Sequence, residues 1–174
     1  AARTDLGGST DSDYKTNILG VRNLVSSLNK QDSLEIAVFA STKLVCKNGY
    51  VPKEDSDYCP NTIYGRSKAI GEKIVRESAS FPFVIVRPTS IWGPWFGPPY
   101  KDFFLRIKNN RYWHLNVLNL RKSYGYVGNV VFEIDRLCKA SKEMVSEETF
   151  YVSDYEPIEL GEWADLIQSA FGVR

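Results

Sequence analysis

Tyr64 and Lys68 stand four positions apart in the stretch Tyr64-Gly65-Arg66-Ser67-Lys68. On a helix this spacing sets both side chains on one face, with an ammonium beside a phenol. A neighbouring cation favours the phenolate and lowers the tyrosine pKa toward neutrality, where a phenol can take a proton from a hydroxyl and return it. Read alone, the pair also fits an ordinary solvated helix face, since both residue types are common at surfaces. Of the ten tyrosines, Tyr64 is the one with a lysine at the fourth position after it.

The chain around this pair alternates strands and helices, which predicts an α/β fold. Ser12 or Asp13 can cap a helix over residues 14–29, where Ile18, Val21, Val25 and Leu28 form an apolar stripe. Residues 34–40 are a mostly apolar run of buried-strand length. A polar insert over 47–60 leads into a helix over about 62–78 that carries Tyr64 and Lys68. Residues 83–87 form a second buried strand closed by Pro88. Strand, helix and strand in this order predict a right-handed parallel crossover. Downstream, residues 91–99 are rich in Gly, Pro and aromatics and read as a loop. Helices are expected over 102–109, 127–141 and 160–170, the last ended by Gly172, with strands at 112–115 and 149–152.

Composition narrows the function classes. With 22 basic and 21 acidic residues the formal net charge is +1, which is not the footprint of a nucleic-acid-binding surface. At 174 residues and 43% hydrophobic content the chain is globular in type, and no apolar run reaches bilayer length. Cys46, Cys59 and Cys138 are widely spaced, and His114 is the single histidine. Neither a disulfide framework nor a metal site is expected, and reduced cytoplasmic thiols are the simplest reading. His114 has no partner in sequence and is read as structural.

Four motifs in order resemble the extended short-chain dehydrogenase/reductases, the nucleotide-sugar epimerase/dehydratase family. They are Asn17-Ile18-Leu19-Gly20, Ala40-Ser41-Thr42, Tyr64-Gly65-Arg66-Ser67-Lys68 with Gly71-Glu72, and Arg87-Pro88-Thr89-Ser90-Ile91-Trp92-Gly93-Pro94. Ala1-Ala2 is similar to the end of that family's His-Leu-Ala-Ala segment. The resemblance implies a partial Rossmann-like parallel sheet with flanking helices plus a small substrate-binding part. Residues 1–88 would be the later half of the dinucleotide-binding domain, and 89–174 mostly the substrate part. It implies an NAD(P)-dependent nucleotide-sugar epimerase, NAD being favoured, that oxidises and re-reduces a sugar carbon. Tyr64 would be the acid/base, and Lys68 would lower its pKa and hold the nicotinamide ribose. Thr42 would hydrogen-bond the reacting oxygen, and Asn17 would steady the backbone near the cofactor. Ala1, Ala2 and Pro88 would bring backbone close to the dinucleotide. Thr42 also reads as a plain strand-end hydroxyl.

Departures from the family pattern limit the chemistry. The dehydratases place an acidic pair after the catalytic threonine, because eliminating water needs a further acid and base; here Lys43 and Leu44 follow Thr42. Ser90 replaces a frequent asparagine, and it fits either a substrate contact or an ordinary loop serine. Lys122, with Arg121 beside it, matches a phosphate-binding arginine position, yet a solvated basic pair fits as well. Trp92, Trp95, Phe96 and Trp113 fit stacking on a base or packing in a core. The stretch over residues 1–11 reads as a loop after a strand, with no Gly-x-Gly-x-x-Gly before a helix. The expectation is therefore the central portion of a family member, needing upstream strands to bind its dinucleotide. A reductase of the same family and an inactive binding or assembly module are the alternatives. A homodimer through the helices near 14–29 and 62–78 is expected, with a nucleotide sugar as substrate and neither nucleic acid nor membrane as partner.

Overall fold

The computed structural model describes residues 2–114, 121–154 and 156–173, so Ala1 lies outside the described residues. In chain order the elements are α1 (Lys15–Leu28), β1 (Ala37–Ala40), α2 (Ile63–Ser78), β2 (Phe83–Pro88), β3 (Ser90–Trp92), α3 (Tyr100–Lys108) and β4 (Arg121–Lys122). There follow β5 (Tyr124–Tyr126), α4 (Val127–Lys139), α5 (Lys142–Val145), β6 (Thr149–Val152), β7 (Ile158–Glu159) and α6 (Leu160–Phe171). Short 3-10 turns at Asp11–Tyr14 and Lys43–Val45 lead into α1 and follow β1.

Local chemistry sets these boundaries. The Asp13 carboxylate accepts from the Thr10 N–H and hydroxyl, both at 2.9 Å, and closes the turn from which α1 grows. Thr62, in extended conformation, accepts from the Gly65 N–H at 2.9 Å and caps α2. Gly172 at φ 64° ends α6 in the left-handed conformation that glycine adopts without a Cβ penalty. Strand β1 begins later than the apolar run suggests, because residues 34–36 have no partner strand. Ala37 donates to the Pro82 carbonyl at 3.0 Å, and Pro82 has no N–H with which to extend the ladder.

The residues fall into two units, 1–88 with 132–152 and 89–131 with 153–174. The first is built on a parallel sheet in the order β1-β2-β6, with Ala37 opposite Phe83 and Ile85 opposite Thr149. Val84, Ile85 and Val86 of the central strand are fully buried, as a parallel strand covered on both faces requires. Helices α1 and α2 pack against one another, and Val25 and Val75 meet Phe83 and Ile85 in one core, flanked by Val21 and Phe39. The apolar stripes of both helices are thus spent inside the unit, while Leu19 and Leu24 on α1 stay exposed. Parallel strands with helices packed on them form a Rossmann-like α/β arrangement.

The second unit has two small sheets, parallel β3–β5 and antiparallel β4–β7, around an aromatic core. Trp163 on α6 stacks on Tyr124 at 3.8 Å and on Phe103 at 5.1 Å, over Ile107 and Ala164. The segment expected as a loop from residue 91 begins as β3, held by β5; residues 112–114, expected in a strand, lie outside any. No described helix is long and apolar enough to cross a membrane.

Candidate active site

A Cβ placed on Gly65 would lie 2.1 Å from the Leu44 carbonyl oxygen, so only hydrogen fits there. The first turn of α2 thereby rests directly on the turn that follows β1, and Tyr64 reaches Thr42. Both are buried, with Tyr64 9% and Thr42 8% exposed. Burial pushes the Tyr64 phenol above its ordinary value, and the Thr42 hydroxyl, as a hydrogen-bond partner, pulls it part of the way back. Lys68, half-buried one turn along α2, donates through Nζ to the Ala40 carbonyl at the end of β1. Burial lowers its pKa, and the nearby Glu72 charge opposes that. The expected lowering of the phenol by the ammonium is therefore not the balance here. Desolvation dominates at Tyr64, and the ammonium is directed at a carbonyl.

Asn17 on α1 binds the backbone of Arg3 twice. Its Oδ1 accepts from the Arg3 N–H at 2.8 Å and its Nδ2 donates to the Arg3 carbonyl at 3.0 Å. The same Nδ2 donates to Ser67 Oγ at 3.1 Å, and Ser67 donates to the Tyr64 carbonyl at 2.7 Å. One amide thus links the amino-terminal segment to the helix turn that bears Tyr64. Tyr14, 1% exposed, supports that segment by donating to the Asp5 carbonyl at 2.7 Å. Its ring leaves no room for a side chain at Gly8 and stands 6.0 Å from the ring of Tyr64. Ala2 is exposed, and Pro88, half-buried, ends β2.

Behind the pair lies a buried ionic centre. Glu72 on α2 accepts from Arg87 on β2 and from the hydroxyl of Ser41, the residue before Thr42. Arg87 also donates to Tyr151 Oη at 2.9 Å and to the Asp55 carbonyl at 2.5 Å. Burial works against the Arg87 charge, and Glu72 more than restores it, so the guanidinium stays charged. These three residues, with Ser67, are site-supporting groups that sequence reasoning left without roles. The signal was present in a charged residue ending the apolar run at 83–86 and a glutamate one turn beyond Lys68.

The residues expected on the substrate side lie in the second unit. Ser90 opens β3 and is a hydrogen-bond partner of the Tyr100 phenol. Arg121 donates to the Pro157 carbonyl at 3.1 and 2.7 Å. Lys122 points over the rings of Tyr124 and Tyr100 at 5.5 and 6.0 Å, and burial lowers its pKa. Among the described residues neither Lys122 nor Arg121 forms a salt bridge with a carboxylate. Trp92 packs on Phe104 and Tyr126 in the core, whereas Trp95 and Trp113 are exposed. His114 does have a partner, Asp165 Oδ1 at 3.1 Å from Nε2.

Residues 6–153 match the NAD dependent epimerase/dehydratase family. Over 123 residues the chain is 27% identical to N-acetyl-alpha-D-glucosaminyl-diphospho-ditrans,octacis-undecaprenol 4-epimerase of Escherichia coli O157:H7, which covers 68% of this chain and 37% of that protein. Its fold is similar to that of UDP-glucuronic acid 4-epimerase from Bacillus cereus, solved with UDP-glucuronic acid and NAD. That likeness has a TM-score of 0.81 at 16% identity, over 99% of this chain and 58% of that one. The fold of dTDP-4-dehydrorhamnose reductase from Bacillus anthracis str. Ames, solved with NADP, gives a TM-score of 0.81 at 24% identity, over 99% and 61%. The chain spans less than two thirds of the length of each of these proteins. At such identities the structural likeness speaks for the fold, while the family match takes in most of the sequence. The chain belongs to the NAD dependent epimerase/dehydratase family.

Proposed function

We propose that the chain is the central portion of an NAD(P)-dependent nucleotide-sugar epimerase, with NAD as the favoured cofactor. The observation that carries this reading is the meeting of Tyr64 with Thr42, with Lys68 one turn along the same helix, three groups suited to moving a proton on and off a hydroxyl. The sequence likeness to a 4-epimerase supports inversion as the outcome. Lys43 and Leu44, which follow Thr42 in a tight turn, argue against dehydration, because they put no carboxyl pair where the dehydratases have one.

The residues fit the ribose and nicotinamide end of a dinucleotide. Lys68 has ammonium protons beyond the one given to Ala40, and Asn17 holds the backbone of Arg3 beside α2. The dinucleotide, when bound, supplies the hydride acceptor and donor. Tyr64 Oη takes the proton of the sugar hydroxyl and returns it. Thr42 donates a hydrogen bond to the reacting oxygen, and Lys68 favours the phenolate once its ammonium turns from Ala40 toward the ribose and the phenol. In the second unit Lys122 meets the diphosphate as a point charge and Ser90 contacts the sugar or phosphate. Arg121, engaged by Pro157, has the lesser part. A second copy packs on α1 and α2, where Leu19 and Leu24 are exposed and Gly20 has open space around it.

The test uses the full-length protein with NAD and UDP-, GDP-, CDP- and dTDP-sugars, with products followed by NMR. Inversion at one sugar carbon without net consumption of dinucleotide is expected for at least one of them. No inversion with any sugar, or stoichiometric consumption of reduced dinucleotide, overturns the epimerase reading.

A further inference from the structure

The turn after β1 and the approach to α2 meet at a pair of cysteines. Cys46 and Cys59 face each other across an isolated parallel bridge. The Cys59 N–H donates to the Val45 carbonyl at 3.1 Å, and the Lys47 N–H donates to the Cys59 carbonyl at 2.7 Å. Partners across such a bridge lie about 4.8 Å apart and project their side chains to the same face. A disulfide spans Cα separations of about 4.4–6.8 Å, so this backbone already has the spacing for one. Both thiols are free.

We propose that Cys46 and Cys59 form a reversible dithiol–disulfide pair that clasps the polar insert between them. Their exposure divides the roles. Cys59 is half-buried and meets an oxidant first, while Cys46 is buried, with its thiol donating to the Asp57 carbonyl at 3.4 Å. With hydrogen peroxide as oxidant, the Cys59 thiolate attacks one peroxide oxygen. The O–O bond breaks, hydroxide leaves and takes up a proton as water, and a sulfenic acid remains. The Cys46 sulfur then attacks that sulfur and displaces hydroxide, which takes the thiol proton and leaves as a second water. Two thiols lose two electrons in all, and one peroxide becomes two waters. A small thiol reductant reverses the bond by exchange.

The clasp has a location that matters. Thr42 lies just upstream of Cys46, and Tyr64 just downstream of Cys59. The enclosed insert is braced by Tyr50 Oη on Asp57 at 2.7 Å, the Lys53 N–H on Asp57 at 2.9 Å, and Arg87 on the Asp55 carbonyl. The disulfide therefore ties together the two segments that deliver Thr42 and Tyr64. Its formation goes beyond the proposed reaction and does not depend on it.

The experiment oxidises the purified protein with hydrogen peroxide, unfolds it, alkylates the remaining thiols and maps the peptides by mass spectrometry. The expected result is that neither Cys46 nor Cys59 remains alkylatable and that a peptide joins Cys46 to Cys59, which dithiothreitol cleaves, whatever the state of the exposed Cys138. Cys59→Ser, treated alike, keeps Cys46 alkylatable. Cys46 and Cys59 both still alkylatable after oxidation overturn the proposal. So does Cys59 carried to sulfinic acid with Cys46 still alkylatable, or Cys46 lost to oxidation in the Cys59→Ser variant.

Discussion

Glu72 on α2 takes Nε and Nη2 of Arg87 on β2 at 3.0 and 2.6 Å, with the two side chains 2% and 0% exposed. A buried pair of this kind gains its Coulomb attraction against a large desolvation cost, so its contribution is to location more than to net stability. It fixes the helix of Tyr64 against the strand that ends in Pro88, and through Ser41 it reaches the end of β1. Glu72→Gln strands the guanidinium and is expected to cost about 3–5 kcal/mol in denaturant unfolding. A loss below about 1 kcal/mol would show the charge to be satisfied by other groups.

Two glycines on neighbouring helices should respond oppositely to alanine. At Gly65 a Cβ meets the Leu44 carbonyl oxygen, a backbone atom that cannot swing away, and Gly65→Ala should destabilise by about 1–3 kcal/mol as α2 lifts from the turn. At Gly20 nothing lies within 4 Å, and Gly20→Ala should stabilise α1 by about 0.5–1 kcal/mol. Thermal melts of the two variants check the sign of each.

Asn17→Ala removes three hydrogen bonds to Arg3 and Ser67 and leaves the Arg3 backbone groups without their side-chain partner. A loss of about 1–3 kcal/mol is expected, with faster amide exchange at Arg3 by NMR. Unchanged protection of that amide would mean that the amino-terminal segment is held by Tyr14 and Asp5 alone.

Burial raises Tyr64 above its ordinary value of 10.0, so the folded state favours the neutral phenol. The stabilisation is complete below pH 10 and is lost as pH rises through the folded-state value. Under the proposed reaction the base must be ionised, so turnover of the full-length enzyme should climb toward alkaline pH. Lys68→Met, which removes the cation, should move that limb upward by about 1–3 pH units. A limb that stays in place would assign Lys68 to ribose binding alone.

The buried strand at 83–88 and the helix bearing Tyr64 were legible because each is governed by local signals, an uninterrupted apolar run in one and a threonine cap in the other. Strand β1 is shorter than its apolar run because its start depends on where Pro82 stops the neighbouring ladder. The pairing of Ser90–Trp92 with Tyr124–Tyr126 was hidden for a similar reason, since a Gly- and Pro-rich context reads as loop until a remote partner is known. Tyr64, Thr42, Lys68 and Asn17 were visible as residue types at family spacings, and the structure gathers them in one unit. The layer behind them was not visible. Glu72 and Arg87 stand in sequence as motif residues without a role, and only their burial against each other reveals what they hold.

The central claim is that Tyr64 moves the proton, and Tyr64→Phe in the full-length protein tests it most directly. The variant keeps the ring beside Tyr14 and removes only the phenolic oxygen. Sugar inversion measured by NMR should fall by at least about 100-fold, while NAD binding by calorimetry stays within a few-fold of the native protein. Undiminished inversion in a variant that still binds NAD would contradict the account.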